Sequence, residues 1–246
     1  MKKGTFNKII KIGNMVLKFS TPHSSIAKEM LNLDSKNIKK YEADIKNVGI
    51  KTSKVYFYSS FQDKDLIIQE YIDGLTIQEY LDSDEFSPLD KLKVFKKIVE
   101  MYKMSLSDEN LCLDWNLNNF ILKNDDIYYI DYVPAFYKDQ IKSVNSERLK
   151  QYQQSLIDTK IQMAGIISYA IVSFFDEEKQ ELKRVYEEMK NFSCEILKID
   201  FSDVDSSHVY IKKLLILEDY LNSVIGKNQF LYDYNNIYMT KTAKRR

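Results

Sequence analysis

Leu111-Cys112-Leu113-Asp114-Trp115-Asn116-Leu117-Asn118-Asn119-Phe120-Ile121-Leu122, followed by Ile127-Tyr128-Tyr129-Ile130-Asp131-Tyr132-Val133, decides how this chain is read. An Asp is followed five residues later by an Asn and then by an apolar pair. A polar turn at Asn124-Asp125-Asp126 leads into an apolar strand that ends in a second Asp. Phosphoryl transfer calls for these groups in this order. One carboxylate orients or deprotonates the attacking hydroxyl, while an amide oxygen and a second carboxylate hold Mg²⁺ against nucleotide phosphates. The plain alternative is a β-hairpin with a polar turn and no chemistry. The segments on either side decide between the two.

Toward the N-terminus, Ile9–Ile12 and Met15–Phe19 read as two strands joined at Gly13-Asn14. A polar helical stretch over 23–48 follows and contains Tyr41-Glu42-Ala43-Asp44-Ile45, ahead of a strand over 53–58. The run Leu66-Ile67-Ile68-Gln69-Glu70-Tyr71-Ile72-Asp73-Gly74 is a buried strand that ends at a glycine. There its backbone amide and carbonyl groups become free to pair with the edge of a base. Beyond Gly74 the periodicity is helical: 75–81, 88–104, 147–175, 177–200 and 206–225. In the second of these Leu89, Leu92, Val94, Phe95, Ile98 and Val99 recur at helical spacing.

This order resembles the protein-kinase-like fold. The wording of the Asp114 stretch resembles its aminoglycoside phosphotransferase and choline-kinase-like branch, where small-molecule kinases predominate. The resemblance spans residues 4–140 by motif and implies an α+β, two-lobed architecture. Residues 1–73 would form the nucleotide-binding lobe and 74–246 the catalytic and acceptor-binding helical lobe. It further implies that Lys18 steadies the α and β phosphates of ATP or GTP. Glu42 would hold Lys18, with Glu29 as the rival, and Gly4 would lie in the phosphate-covering loop. Glu70 and Ile72 would offer backbone contacts to the base, with Gln69 lining the back of its pocket. Asp114 would take or orient the acceptor's proton, and Asn119 with Asp131 would bind Mg²⁺.

Several positions depart from the kinase pattern. Cys112 stands where His is usual, and is read as a small buried group rather than a nucleophile. Leu113 stands where regulated protein kinases carry Arg. Tyr132-Val133-Pro134 replaces a flexible Phe-Gly, and no Ala-Pro-Glu precedes the helix near Glu147. So short a segment offers little platform for a peptide, which favours a small-molecule hydroxyl acceptor: an aminoglycoside, a sugar, a choline-like alcohol or a natural product. A protein Ser/Thr kinase and a catalytically silent nucleotide or partner binder are the alternatives.

Composition narrows the classes further. The net charge is zero, with 36 basic and 36 acidic residues. Arginine occurs only at Arg148, Arg184, Arg245 and Arg246, so planar recognition of phosphate or bases is poorly supplied and no nucleic-acid partner is expected. Two cysteines fit a reducing compartment, and the two histidines, His23 and His208, supply no zinc cluster. Met1-Lys2-Lys3-Gly4 opens no signal-peptide core, and the most apolar run, 161–175, is too short to span a bilayer. The expectation is a cytoplasmic protein with no membrane span.

Overall fold

The computed structural model describes residues 7–20, 37–61, 64–132, 135–175, 177–202 and 206–237. Its class is α+β, with a β-sheet in the N-terminal region and a helical C-terminal part. Two compact units emerge, and neither is a continuous stretch of chain. The first comprises residues 1–80 and 100–153, the second 81–99 and 154–246.

In the first unit β1 (Asn7–Ile12), β2 (Met15–Ser20), β3 (Val55–Phe61) and β4 (Lys64–Glu70) form an antiparallel sheet of order β1-β2-β4-β3. The β1–β2 hairpin closes with Ile12 opposite Met15, and Gly13 takes the positive φ of 56° that this tight turn requires. Lys18 faces Ile67 across the ladder, and Val16 faces Gln69. Helix α1 (Asn37–Asn47) buries Ile38, Tyr41, Glu42 and Ile45, one stripe at helical spacing. It ends in a Schellman turn, with Gly49 at φ 88°, its amide on the Lys46 carbonyl and the Ile50 amide on the Ile45 carbonyl. The remainder of the helical stretch expected over 23–48 lies outside the described residues.

The chain then passes alongside β8 (Asp126–Tyr129). The Tyr129 amide donates to the Lys51 carbonyl at 2.9 Å and the Ser53 amide to the Tyr129 carbonyl at 3.2 Å. β5 (Leu75–Thr76) pairs with β7 (Phe120–Lys123), which pairs with β8. The β7–β8 turn is a two-residue hairpin with Asn124 and Asp125 both at positive φ. β6 (Leu111–Cys112) pairs with β9 (Phe136–Tyr137). Gly74 is required by close packing: a Cβ there would lie 2.2 Å from the Leu122 carbonyl oxygen.

Thr76 and Glu79 make a reciprocal capping box at the start of α2 (Ile77–Asp82). Ser87, followed by Pro88, caps α3 (Pro88–Ser105) by accepting from the Asp90 amide. The single helix expected over 147–175 is two, α4 (Glu147–Ile157) and α5 (Thr159–Val172). The break is chemical: the Asp158 carboxylate accepts from the Lys160 and Ile161 amides and so starts a new helix. Helix α5 is buried on nearly every face, as its apolar run predicts. α6 (Lys179–Leu197) stops where Lys198 enters the left-handed region, and α7 (Val209–Leu221) starts at His208, whose Nδ1 accepts from the Tyr210 amide. Around α8 (Lys227–Asn236), Phe230 stacks with Phe175 at 4.8 Å and leans on Tyr220 and Tyr234 to close the core of the second unit. Among the described residues no helix is long and apolar enough to cross a membrane.

Candidate active site

The stretch from Leu113 to Asn119 alternates. Leu113, Trp115 and Leu117 are buried, while Asp114, Asn116, Asn118 and Asn119 keep access to solvent. Trp115 stacks on Phe120 at 4.9 Å and leans on Tyr102, which fixes the apolar side of the loop. On the polar side each residue holds the next. Asp114 Oδ1 accepts the Asn116 amide at 3.1 Å, and Asn116 Oδ1 accepts the Asn118 amide at 3.1 Å. Asn119 Nδ2 donates to the Asp114 carbonyl at 3.2 Å. A carbonyl can be met only by the amide's NH₂ end, so Oδ1 is the end of Asn119 left to bind a ligand. The Ile130 amide donates to the Asn119 carbonyl at 2.9 Å, which ties the loop to the residue before Asp131.

Lys18 is 9% exposed and reaches the same place. Its Nζ donates to the Ile130 carbonyl at 2.6 Å and lies 3.8 Å from Asp131 Oδ1. Burial pulls its pKa down, and the Asp131 carboxylate partly restores it. Asp114 is raised to about 6, first by burial and then by the charge of Asp131, with donation from the Asn116 amide and Tyr152 acting the other way. Tyr152 Oη donates to the second Asp114 oxygen at 3.3 Å, and its ring meets Phe136 edge-on. A half-buried carboxylate with a pKa near 6, facing a second carboxylate, is suited to accept a proton.

Four of the residues picked from sequence therefore meet: Lys18, Asp114, Asn119 and Asp131. Gln69 joins them, 2% exposed, with Nε2 donating to the Ile130 carbonyl at 3.0 Å. Glu42 does not, and the expected Lys18–Glu42 pair is corrected here. Its carboxylate accepts from Lys46, one helical turn on, and from the Val55 amide at 3.3 Å, so it anchors the start of β3. Glu70 Oε2 accepts the Lys54 amide at 3.2 Å. The Ile72 side chain is buried, and among the described residues its amide, the expected base contact, takes no hydrogen-bond partner. Gly4 and the rival Glu29 lie outside the described residues. Cys112 is a buried thiol raised to about 11 by burial, which suits packing and not attack.

Three participants were not picked from sequence. Tyr41, fully buried on α1, donates to the Cys112 carbonyl at 2.6 Å and so ties that helix to the loop. Tyr152 and Ser53 are the others, and their roles depend on contacts across the fold. Among the described residues no group of three or more His, Cys, Asp or Glu could hold a metal. One carboxylate and one amide oxygen nevertheless fit a Mg²⁺ ion that takes its other ligands from phosphates and water.

No protein-family model and no curated protein matches the sequence. Among solved structures the chain is similar to a point mutant of the Mycobacterium tuberculosis PknI kinase domain (16% identity, TM-score 0.41, covering 65% of this chain and 62% of that one). It is also similar to WbdD, solved with the kinase inhibitor LY294002 (13% identity, TM-score 0.39, covering 82% of this chain and 46% of that one). The chain thus spans less than two thirds of the length of either relative.

Proposed function

We propose that this chain is an ATP- and Mg²⁺-dependent phosphotransferase that moves the γ-phosphate to a hydroxyl of a small molecule. One observation carries the reading: Lys18 and Asp131 lie 3.8 Å apart, and the Ile130 amide links them directly to the Asp114–Asn119 loop. Asn119 Oδ1 and Asp131 would hold the metal, which would supply positive charge to neutralise the phosphates. Lys18 would release the Ile130 carbonyl and turn to the phosphates. Asp114 would orient the acceptor hydroxyl and take its proton. Glu70 and Ile72 would receive the base. The work of such a site is positioning and charge neutralisation.

A small acceptor is favoured over a polypeptide because the chain turns back quickly after Asp131. β9 pairs with β6, directly before the loop, and leaves little extended segment for a peptide to lie on. A binding-only protein is the second reading. It is favoured by the engagement of Glu42 away from Lys18, and opposed by the near-neutral Asp114.

Thermal unfolding with ATP and Mg²⁺, beside a chelator control, tests the reading first. Ligand at a hundred times its dissociation constant should raise Tm by about 5–10 °C. Asp131→Ala should lose the Mg²⁺-dependent part of the shift. Asp114→Asn should keep the shift while losing phosphate transfer to hydroxyl compounds. Unaltered turnover in both variants would refute the assignment, and a shift without any transfer would favour the binding-only protein.

A further inference from the structure

Asp131 sits between two residues that are both fastened to the same buried point. On one side the Ile130 carbonyl accepts from Gln69 Nε2 at 3.0 Å and from Lys18. On the other, Tyr132 is fully buried and its hydroxyl donates to the Ser53 carbonyl. Ser53, also fully buried, joins the two sides: its Oγ accepts from Gln69 Nε2 at 3.0 Å and donates to Tyr132 Oη at 3.3 Å.

The hydrogens of this ring count out without remainder. The two on Gln69 Nε2 go to Ile130 and Ser53, the one on Ser53 goes to Tyr132, and the one on Tyr132 returns to Ser53. The reverse placement of the Gln69 amide would set an oxygen against the Ile130 carbonyl. The orientation kept leaves Oε1 buried with no partner among the described residues. A buried acceptor left unpaired is uncommon and costly. Here it is tolerated while one amide hydrogen holds Ile130 and the other holds Ser53, on which Tyr132 is anchored.

We propose that Tyr132, acting through Ser53 and Gln69, is the positioning residue that fixes the Asp131 carboxylate ready for a metal–nucleotide complex. The inference rests on the phosphotransferase reading. It adds that Asp131 is held in place through its successor's hydroxyl. Groups hydrogen-bonded directly to metal ligands are typically worth ten- to a hundredfold in metal affinity, and a hold exerted through the backbone, as here, belongs at the lower end of that range.

The test is nucleotide affinity by titration calorimetry, with Mg²⁺ and with EDTA, for wild type, Tyr132→Phe, Ser53→Ala and Asp131→Ala. Tyr132→Phe keeps the ring and removes only the hydroxyl. It should weaken ATP binding about tenfold in Mg²⁺ and leave the EDTA value unchanged, a split that general loosening of the fold would not produce. In the Asp131→Ala background the same change should have no further effect. Ser53→Ala spares the backbone acceptor of Tyr132 and breaks the link to Gln69, so a smaller loss in Mg²⁺ alone is expected. It decides the matter if Tyr132→Phe does not fold. Full Mg²⁺ dependence in the folded variants overturns the positioning role and leaves the phosphotransferase reading intact. Nucleotide binding by wild type without any Mg²⁺ dependence removes the metal role of Asp131, and the proposal with it. No nucleotide binding by wild type refutes the phosphotransferase reading itself.

Discussion

In the proposed phosphotransferase Asp114 trades stability for chemistry. Its pKa in the folded protein is about 6, against an ordinary 3.8. The folded state therefore holds this proton more tightly than the unfolded chain does. As pH rises from about 4 to 6, ionisation of the buried carboxylate costs stability, and the whole cost is present above that range. Asp114→Asn should thus raise Tm at pH 7.5, by about 1–2 kcal/mol of stability given that the side chain keeps some access to water, and change it little at pH 4. Paired melting curves at the two pH values check this; equal Tm at pH 7.5 would contradict the raised pKa. If the chain is the phosphotransferase proposed above, the same carboxylate must be ionised to take a proton, and phosphate transfer should increase as pH passes through about 6. Tyr152 donates to it and holds the pKa down. Tyr152→Phe should therefore move the acid limb of the pH–rate profile to higher pH, and an unmoved limb would show that the hydroxyl does not tune Asp114.

At the scale of elements, the site depends on a few places where segments touch by backbone. β5 lies against β7 with Leu75 opposite Leu122, and Gly74 brings the incoming chain within van der Waals distance of the Leu122 carbonyl. Gly74→Ala must push β5 away from β7. A loss of about 1–3 kcal/mol is expected, which is roughly 2–12 °C in Tm for a chain of this size. Under the proposed placement of the base at Glu70 and Ile72, which immediately precede this contact, nucleotide affinity should fall as well; calorimetric melting and titration of the variant measure both effects. The helix contributes differently from the resemblance-based expectation. Periodicity places Tyr41, Glu42 and Ile45 on the buried stripe of α1, but it does not say which strand that stripe meets. Glu42 meets the start of β3, and Lys46 holds it at i+4, a local competitor that was visible in the sequence.

For the molecule as a whole, legibility follows distance along the chain. Asp114, Asn119 and Asp131 could be read because the loop and hairpin that align them are contiguous and governed by turn chemistry. The α+β order and the buried helix after residue 158 were legible from periodicity. The Gln69–Ser53–Tyr132 ring was not, because Ser53 and Tyr132 are 79 residues apart and nothing local marks either as a partner. The same separation has a consequence in time. The four strands β1 to β4 are complete once residue 70 has been made. Lys18, Ser53 and Gln69 are then already placed on or beside that sheet, whereas Ile130 and Tyr132 have yet to be made. Sixty more residues must be added after Glu70 before Ile130 exists. At about 5–20 residues per second on the ribosome, that interval is roughly 3–12 s. Throughout it, three polar groups destined for the interior are still served by water, and the sheet that carries them stands without its later partners. The nascent chain is thus most vulnerable in the interval when its four-stranded sheet exists and the β7–β8 hairpin that covers these groups does not.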